Sequence, residues 1–126
     1  MRKLSVGVAA LALALIGAQA PAFGQAASTA SIVGNYARPN GDPVEVYDCD
    51  GKLCGHITGG ERNGFEMLHG MESTGPNEWR GNQMKHPAMP GFMTFNGTVT
   101  VVENGLSVRG CAIGQSFCDA EVWTRQ

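Results

Sequence analysis

Four cysteines are the residues of this 126-residue sequence with the most definite chemistry. They form two close pairs, Cys49 with Cys54 and Cys111 with Cys118. Each intervening segment has a central glycine, so Gly51-Lys52 and Gly114-Gln115 are predicted as two-residue hairpin loops that place paired cysteines opposite each other. We expect two local disulfides, with the first pair better placed, at a non-hydrogen-bonded position of its hairpin.

The same four thiolates could instead bind one zinc ion. Structural zinc sites usually have two to four residues between the cysteines in both halves, but Cys111 and Cys118 have six residues between them. Four cysteines allow three disulfide connectivities, of which the local one fits the hairpin pattern. The chain-entropy model then gives each local bridge about 2 kcal/mol of stabilisation.

Methionine and histidine side chains form a second group with possible chemistry. Every methionine except Met1 lies between positions 67 and 93. A soft ligand set can be drawn from this window: Met67, His69, Met71, Met84 and His86. Thioether and imidazole ligands suit Cu(I), so copper binding is one alternative function. We expect instead that methionines fill an irregular interior and that the protein binds no metal and no cofactor.

Catalytic constellations of the familiar kinds do not occur in the sequence. The three histidines are too scattered for a zinc-hydrolase motif, and Ser116 has no nucleophile-elbow pattern around it. Two acidic pairs flank the cysteines, Asp48 with Asp50 and Asp119 with Glu121. In predicted turns these carboxylates are expected to be solvated, so the sequence predicts no catalytic residue and no enzyme.

The N-terminal segment indicates where these cysteines reside. Arg2 and Lys3 precede an apolar run from Leu4 to Ile16, and small residues follow it, as in a secretory signal peptide. The run is shorter than the roughly 20 residues that a bilayer requires. We therefore expect residues 1–26 to be a signal peptide and residues 27–126 to form one exported domain, periplasmic or secreted, with no membrane span. Disulfides persist in such compartments.

The rest of the chain alternates polar and apolar residues between dense turn signals. Phe65, Met67, His69 and Met71, for example, are predicted to share one face of a strand, opposite Glu66. Eight strands are predicted, near 32–37, 43–49, 53–58, 64–72, 78–84, 92–101, 105–111 and 118–125. Short consecutive strands favour an all-β, antiparallel up-and-down meander closed into a small lipocalin-like β-barrel. A two-sheet sandwich is the alternative.

Several motifs along these strands form a recognisable pattern: Gly34-Asn35-Tyr36, Leu53-Cys54-Gly55, Met67-Leu68-His69-Gly70, Trp79 with Gly81, Val108-Arg109-Gly110-Cys111 and Trp123-Thr124-Arg125. The pattern resembles a family of small exported bacterial proteins, the domain of unknown function 2147 family. The resemblance implies a barrel like those of lipocalins and fatty-acid-binding proteins, and an exported location. It implies no activity.

The resemblance also suggests how one end of the barrel is closed. In lipocalin-like barrels an early Gly-x-aromatic motif packs against an arginine of the last strand, which makes Tyr36 and Arg125 the candidates here. A cation–π contact of this kind contributes about 0.5–2 kcal/mol. The sequence departs from the family at three places. Residues 59–63 stand where the family has a longer linker, Tyr36 stands where the family prefers tryptophan, and His56 stands where it prefers a basic residue.

The aromatic residues suggest a function for the barrel interior. Residues predicted to line an apolar ligand cavity are Phe65, Met67, Trp79, Phe92 and Phe95. The main hypothesis is a non-enzymatic barrel that binds a small hydrophobic ligand. The alternative is a protein-interaction or inhibitor module of the cell envelope, acting through loops around Pro87-Ala88-Met89-Pro90. Nine basic residues against eleven acidic ones, with no basic run, exclude a typical nucleic-acid-binding surface.

Overall fold

The computed structural model describes residues 28–112 and 115–126, which fold into a closed barrel of eight antiparallel strands in chain order. The strands are β1 (Gly34–Ala37), β2 (Pro43–Cys49), β3 (Lys52–Ile57), β4 (Glu66–Gly75), β5 (Glu78–Met84), β6 (Phe95–Val102), β7 (Gly105–Ala112) and β8 (Phe117–Arg125). A 3₁₀ turn, Thr29–Ser31, lies directly before β1. The predicted up-and-down barrel is confirmed, whereas the predicted signal peptide, 1–26, lies outside the described residues.

Alternating strand directions give the barrel two unlike ends. At the turn end, pairs of adjacent strands are joined by two-residue connections at 50–51, 76–77 and 103–104. At the loop end the connections are longer, at 38–42, 58–65, 85–94 and 113–116. Among the described residues, no helix is both long enough and apolar enough to cross a membrane.

Strand β4 does not have the simple alternation that the sequence predicts. Met67, Leu68 and Met71 are fully buried, whereas the His69 side chain is 57% exposed. The pairing of β3 with β4 shifts register on both sides of Gly55, and Gly70 adopts a φ of +67°, which favours glycine. The prediction that His69 shares a face with the two methionines is therefore wrong, because the bulges add residues to one strand only.

Bulky side chains occupy the barrel interior. The largest fully buried side chains are Trp79, Trp123, Tyr36, Leu53, Ile57, Met67, Leu68, Met71, Leu106, Val44, Val46 and Val99. Two inward-facing glycines, Gly97 on β6 and Gly110 on β7, lie opposite each other, and the Met84 side chain fills the space beside them. A Cβ atom on Gly97 would lie 2.6 Å from the Met84 sulfur, so the glycines make room for that side chain.

The first disulfide has a different register from the predicted one. Asp50 (φ 59°) and Gly51 (φ 83°) form the two-residue turn, so Cys49 pairs with Lys52 and Tyr47 faces Cys54. The bridge therefore joins diagonal neighbours, with Cα atoms 6.0 Å apart. The prediction of a Gly51-Lys52 loop is wrong because a turn with positive φ at both central positions tolerates aspartate followed by glycine.

The second disulfide links residues directly opposite each other. Cys111 pairs with Cys118 at a Cα separation of 4.0 Å, the close approach typical of a non-hydrogen-bonded position. The close, directly opposed position that the sequence predicts for the first pair is thus occupied by the second pair. Because Ala112 pairs with Phe117, the connection is residues 113–116 rather than a two-residue loop, and Gly114 lies outside the described residues.

One correction to the strand boundaries, at the start of β6, affects the site. Strand β6 begins at Phe95 rather than near residue 92, because residues 85–94 form a loop with two turns of its own. In these turns the Met89 N–H donates to the His86 carbonyl at 3.0 Å, and the Met93 N–H donates to the Pro90 carbonyl at 3.0 Å. This loop lies across the loop end, where it forms one wall of the candidate site.

Candidate functional site

A small cavity opens at the loop end between the 85–94 loop and strands β7 and β8. We call it the mouth pocket, and its volume is about 160 Å³. Its lining residues are Met84, His86, Ala88, Met89, Phe95, Val108, Gly110, Asp119, Ala120 and Glu121. The pocket is therefore an apolar depression with polar groups on one side, the usual composition of a small-molecule site.

The apolar wall is positioned by the inner faces of β5, β6 and β7. Met84 is the last residue of β5 and follows a register shift between Gly81 and Met84. This shift turns Met84 inward, where it is 5% exposed and packs beside Gly110. Val108 is fully buried on β7, and Phe95 packs partly buried against the core.

The polar wall is built on an ion pair between Arg38 and Glu121. Arg38 Nε donates to Glu121 Oε1 at 2.8 Å, and Arg38 Nη2 donates to Glu121 Oε2 at 3.2 Å. The carboxylate accepts a third hydrogen bond from Trp123 Nε1, which lies 2.7 Å from Oε1. Arg38 is only 8% exposed, so its charge depends on carboxylates for compensation: Glu121 is the closer partner, and Asp42 Oδ2 lies 3.4 Å from Arg38 Nη1.

The protonation of Glu121 reflects two opposing influences. Burial disfavours its charged form and tends to raise the pKa, but hydrogen bonds from Arg38, Trp123 and His86, with the Arg38 charge, outweigh it. The pKa of the Glu121 carboxyl is therefore held below its ordinary value of 4.5. The carboxylate remains ionised at neutral pH and fixes the adjacent donors.

His86 joins the 85–94 loop to this polar wall. Its Nδ1 accepts a hydrogen bond from the Ala88 N–H at 3.1 Å, so Nδ1 carries no proton in this arrangement. Its Nε2 lies 3.3 Å from Arg38 Nη2 and 3.5 Å from Glu121 Oε2. The histidine thus holds the start of the loop against β8 and borders the pocket.

Exposed apolar side chains lie around this end of the barrel. Phe92 is 85% exposed, Phe117 66% and Met89 46%. Phe92 and Met89 belong to the 85–94 loop, and Phe117 is the first residue of β8. These exposed side chains can contact the part of a ligand that the pocket does not enclose.

The structure separates the five residues predicted to line a ligand cavity. Phe95 lines the mouth pocket. Met67 and Trp79 are fully buried in the core, and Phe65 packs partly buried against it. Phe92 lies in the exposed loop, so its predicted place inside the barrel is wrong.

The predicted copper ligands are not assembled into one set. Met67 and Met71 are inside the barrel, while His69 is outside, with its Nδ1 2.8 Å from Glu66 Oε1. Only Met84 and His86 meet, at the mouth pocket. Within residues 28–112 and 115–126, no group of three or more His, Cys, Asp or Glu residues is arranged to hold a metal ion.

The predicted closing contact lies towards the turn end. The guanidinium carbon of Arg125 is 5.2 Å from the centre of the Tyr36 ring, and Nη1 donates to the Tyr36 hydroxyl at 2.6 Å. That hydroxyl donates to the Ile32 carbonyl at 2.7 Å, and Arg125 Nη2 donates to the Val33 carbonyl at 3.0 Å. Burial raises the pKa of Tyr36, although the Arg125 charge opposes the shift.

Sequence reasoning missed the polar wall of the pocket. Glu121 was expected to be solvated, but it is ion-paired and its side chain is only 19% exposed. The period-two alternation of β8 contained the signal, because it places Glu121 on the same face as the buried Trp123. Arg38 gives no such signal for the pocket, since Glu121 is 83 residues away in the chain.

Comparison with models of known families matches residues 34–125 to a family described as "uncharacterized protein conserved in bacteria (DUF2147)". The match starts with β1 and ends with β8, so it includes every strand. No curated protein and no solved structure was found to match the chain.

Proposed function

The chain belongs to this bacterial family, and from that premise we propose that it is an exported, non-enzymatic barrel that binds one apolar group of a small ligand. The mouth pocket is the proposed binding site. The observation that carries the proposal is an apolar cavity bordered by a fixed polar wall, at the open end of a barrel whose interior is occupied by side chains.

The volume of the pocket limits what can enter it. About 160 Å³ is close to the roughly 150 Å³ of an engineered cavity that binds benzene. Cavities that enclose a whole drug-sized ligand are larger, about 300–1,000 Å³. The ligand therefore inserts a ring or a short alkyl end, and the remainder stays outside against the exposed side chains of Met89 and Phe92. The proposed apolar site therefore lies at the mouth of the barrel, whereas the sequence predicts an apolar site inside it.

Two features support an exported location. The first residues have the pattern of a signal peptide. All four cysteines are within bonding distance in two pairs, which is compatible with an oxidising compartment. The absence of an enzymatic activity is proposed because the polar side chains of the lining are engaged in structural contacts: His86 and Glu121 contact each other and Arg38, and Asp119 accepts from the Ala120 N–H.

Methyl NMR of methionine tests this proposal directly. With ¹³C-methyl methionine, we expect toluene or 1-hexanol to shift the Met84 and Met89 methyl signals, and to leave the core methyls of Met67 and Met71 in place. Burying about 120 Å² of apolar surface yields about 3 kcal/mol, so millimolar probe concentrations are appropriate. Unshifted Met84 and Met89 signals at saturating probe would contradict the proposal.

A blocking variant provides the matched comparison. Ala88 is exposed and lines the pocket, so Ala88→Trp fills the cavity from its rim without disturbing the core. Val102→Trp adds the same ring at an exposed site on the turn end. We expect Ala88→Trp to abolish the probe-dependent shifts and Val102→Trp to leave them unchanged.

A second function, recognition of an envelope protein, is favoured by one specific observation. Phe92 exposes 85% of its surface at the tip of the 85–94 loop, beside the segment predicted to contact a partner. A photo-crosslinking phenylalanine analogue in place of Phe92 should form a defined cross-linked product in intact cells if a protein binds there. The same analogue in place of Val102 is the control, and equal products from both sites would exclude specific recognition.

A further inference from the structure

A groove crosses the outer surface of strands β3 to β6, on the side opposite to the core. Its volume is about 1080 Å³, several times that of the mouth pocket. Lys52 lies near one end and Gln115 near the other. Neither the family match nor the proposed function assigns a role to this outer groove.

A bulge in β5 places two of the polar side chains in the groove. The pairing of β5 with β6 shifts register between Gly81 and Met84, so two consecutive residues, Asn82 and Gln83, are both exposed. In regular alternation one of them would point inward. The bulge instead presents two adjacent amide side chains on the outer surface, opposite Asn96 on β6.

The chemistry of the lining is that of neutral hydrogen-bonding groups. Four amides border the groove, from Asn82, Gln83, Asn96 and Gln115, and two hydroxyls come from Thr74 and Thr98. Each amide both donates and accepts hydrogen bonds. Among the described residues, the Asn82 and Gln83 side chains have no internal hydrogen-bond partner, so their polar atoms are available to a ligand.

The charged residues of the groove balance one another. Lys52 Nζ is 3.7 Å from Glu72 Oε2, and Arg80 Nε is 3.1 Å from Glu78 Oε1. Glu78 lies outside the lining, which therefore has two acids, Asp50 and Glu72, for its two cations, Lys52 and Arg80. This surface has no excess of positive charge to attract a polyanion such as a nucleic acid. It has no apolar wall to bind a lipid either.

We propose that the outer groove binds a neutral oligosaccharide. Adjacent amides and threonine hydroxyls match the alternating donors and acceptors of sugar hydroxyl groups. An extended peptide is a poorer occupant, because a peptide strand binds most effectively to a free sheet edge, and every strand of the closed barrel is paired on both sides. The groove volume of about 1080 Å³ suits several linked sugar rings rather than one.

Amide-detected NMR titration of the exported protein tests the proposal. The probes are tetrasaccharides of N-acetylglucosamine, β-linked glucose and α-linked glucose, each at up to about 10 mM, with tetragalacturonate as the charged comparison. We expect at least one neutral tetrasaccharide to bind and to shift signals from Glu72, Asn82, Gln83 and Thr98. Signals of the 85–94 loop should not move.

Two double variants locate the contacts. Asn82→Ala/Gln83→Ala removes the paired amides from exposed positions, and we expect about tenfold weaker binding, which is 1.4 kcal/mol. Asn63→Ala/Asn77→Ala removes two exposed amides outside the groove and should have no effect. Thermal unfolding of both variants checks that the barrel is intact.

The proposal is overturned by any of three results. These are no neutral tetrasaccharide bound at the highest concentration, tighter binding of tetragalacturonate than of every neutral probe, or shifts confined to the loop end. Because the wild-type titration locates the site without any substitution, a variant that fails to fold does not affect this decision. Equal affinities of the two double variants would also contradict the role of Asn82 and Gln83.

Discussion

The two ends of the barrel are both fastened by an arginine, but the partners of the two arginines differ. Towards the turn end, Arg125 covers the Tyr36 ring and donates to a phenol and a backbone carbonyl, which are neutral acceptors. At the loop end, Arg38 is buried against the Glu121 carboxylate. The same cation can thus close a barrel with or without a second charge, and only the charged version depends on a carboxyl group that must stay ionised as the pH falls into the acidic range.

The largest expected effect comes from removing the carboxylate at the loop end. Glu121→Ala leaves the buried guanidinium of Arg38 with only its longer contact to Asp42, and we expect a loss of about 3 kcal/mol in the free energy of unfolding. Urea denaturation measures this loss. The double variant Arg38→Met/Glu121→Leu should recover most of it, because it removes both charges and keeps the volume. A loss below about 0.5 kcal/mol would show that Arg38 is adequately compensated by Asp42 or water.

The corresponding change at the turn end should cost less. Arg125→Ala removes the cation–π contact and the hydrogen bonds to Tyr36 and Val33, for an expected loss of about 1–2 kcal/mol. Arg109→Ala removes an exposed arginine of the outer face and serves as the matched control. If the two variants unfold at the same temperature, the Tyr36–Arg125 contact does not close the barrel.

Acid should weaken the loop end. Because the pKa of Glu121 is lower in the folded protein than its ordinary value of 4.5, the unfolded chain binds the proton more readily. The stability contributed by this carboxylate is therefore present above pH 4.5 and is lost as the pH falls through the folded pKa. Denaturation midpoints between pH 6 and 3 should fall more steeply for the wild type than for Glu121→Gln. Parallel curves would show that Glu121 does not contribute to the loss of stability in acid.

Alkali should weaken the other end, with the smallest effect. The pKa of Tyr36 is raised above its ordinary value of 10.0, chiefly by burial, so the unfolded chain loses the phenolic proton first. Stability is present below pH 10.0 and is lost as the pH rises through the folded pKa. Tyr36→Phe keeps the ring and removes this dependence. Stability measurements from pH 8 to 11 distinguish the two proteins, and an unchanged slope in the variant would contradict the assignment.

The sequence predicts the fold well because the determinants of the fold are local. Turn residues and period-two alternation can be identified within a few positions of each other, as at Val44 and Val46 or around Asn104-Gly105. They are sufficient to predict eight strands and, since consecutive strands pair, the up-and-down barrel. The family resemblance, confirmed over residues 34–125, rests on the same local motifs.

The candidate site is harder to predict because it depends on register between strands. The bulges around Gly70 and between Gly81 and Met84 decide which side chains turn inward, and the sequence of one strand does not specify where its neighbour slips. For this reason His69 was assigned to the wrong face. The Arg38–Glu121 pair joins positions 83 residues apart, so no local pattern could identify it.

The seam where the barrel closes has consequences for how the chain folds. Seven of the eight strand pairings join neighbours in sequence and can form successively, each at the low entropic cost of a short connection. The pairing of β1 with β8 joins the two ends of the domain through only two residue pairs, Tyr36 with Arg125 and Ala37 with Thr124. This junction must therefore form late in folding and open first in the native protein. In hydrogen exchange, the amides of β1 and of the end of β8 should exchange by a lower-energy opening than those of β6 and β7.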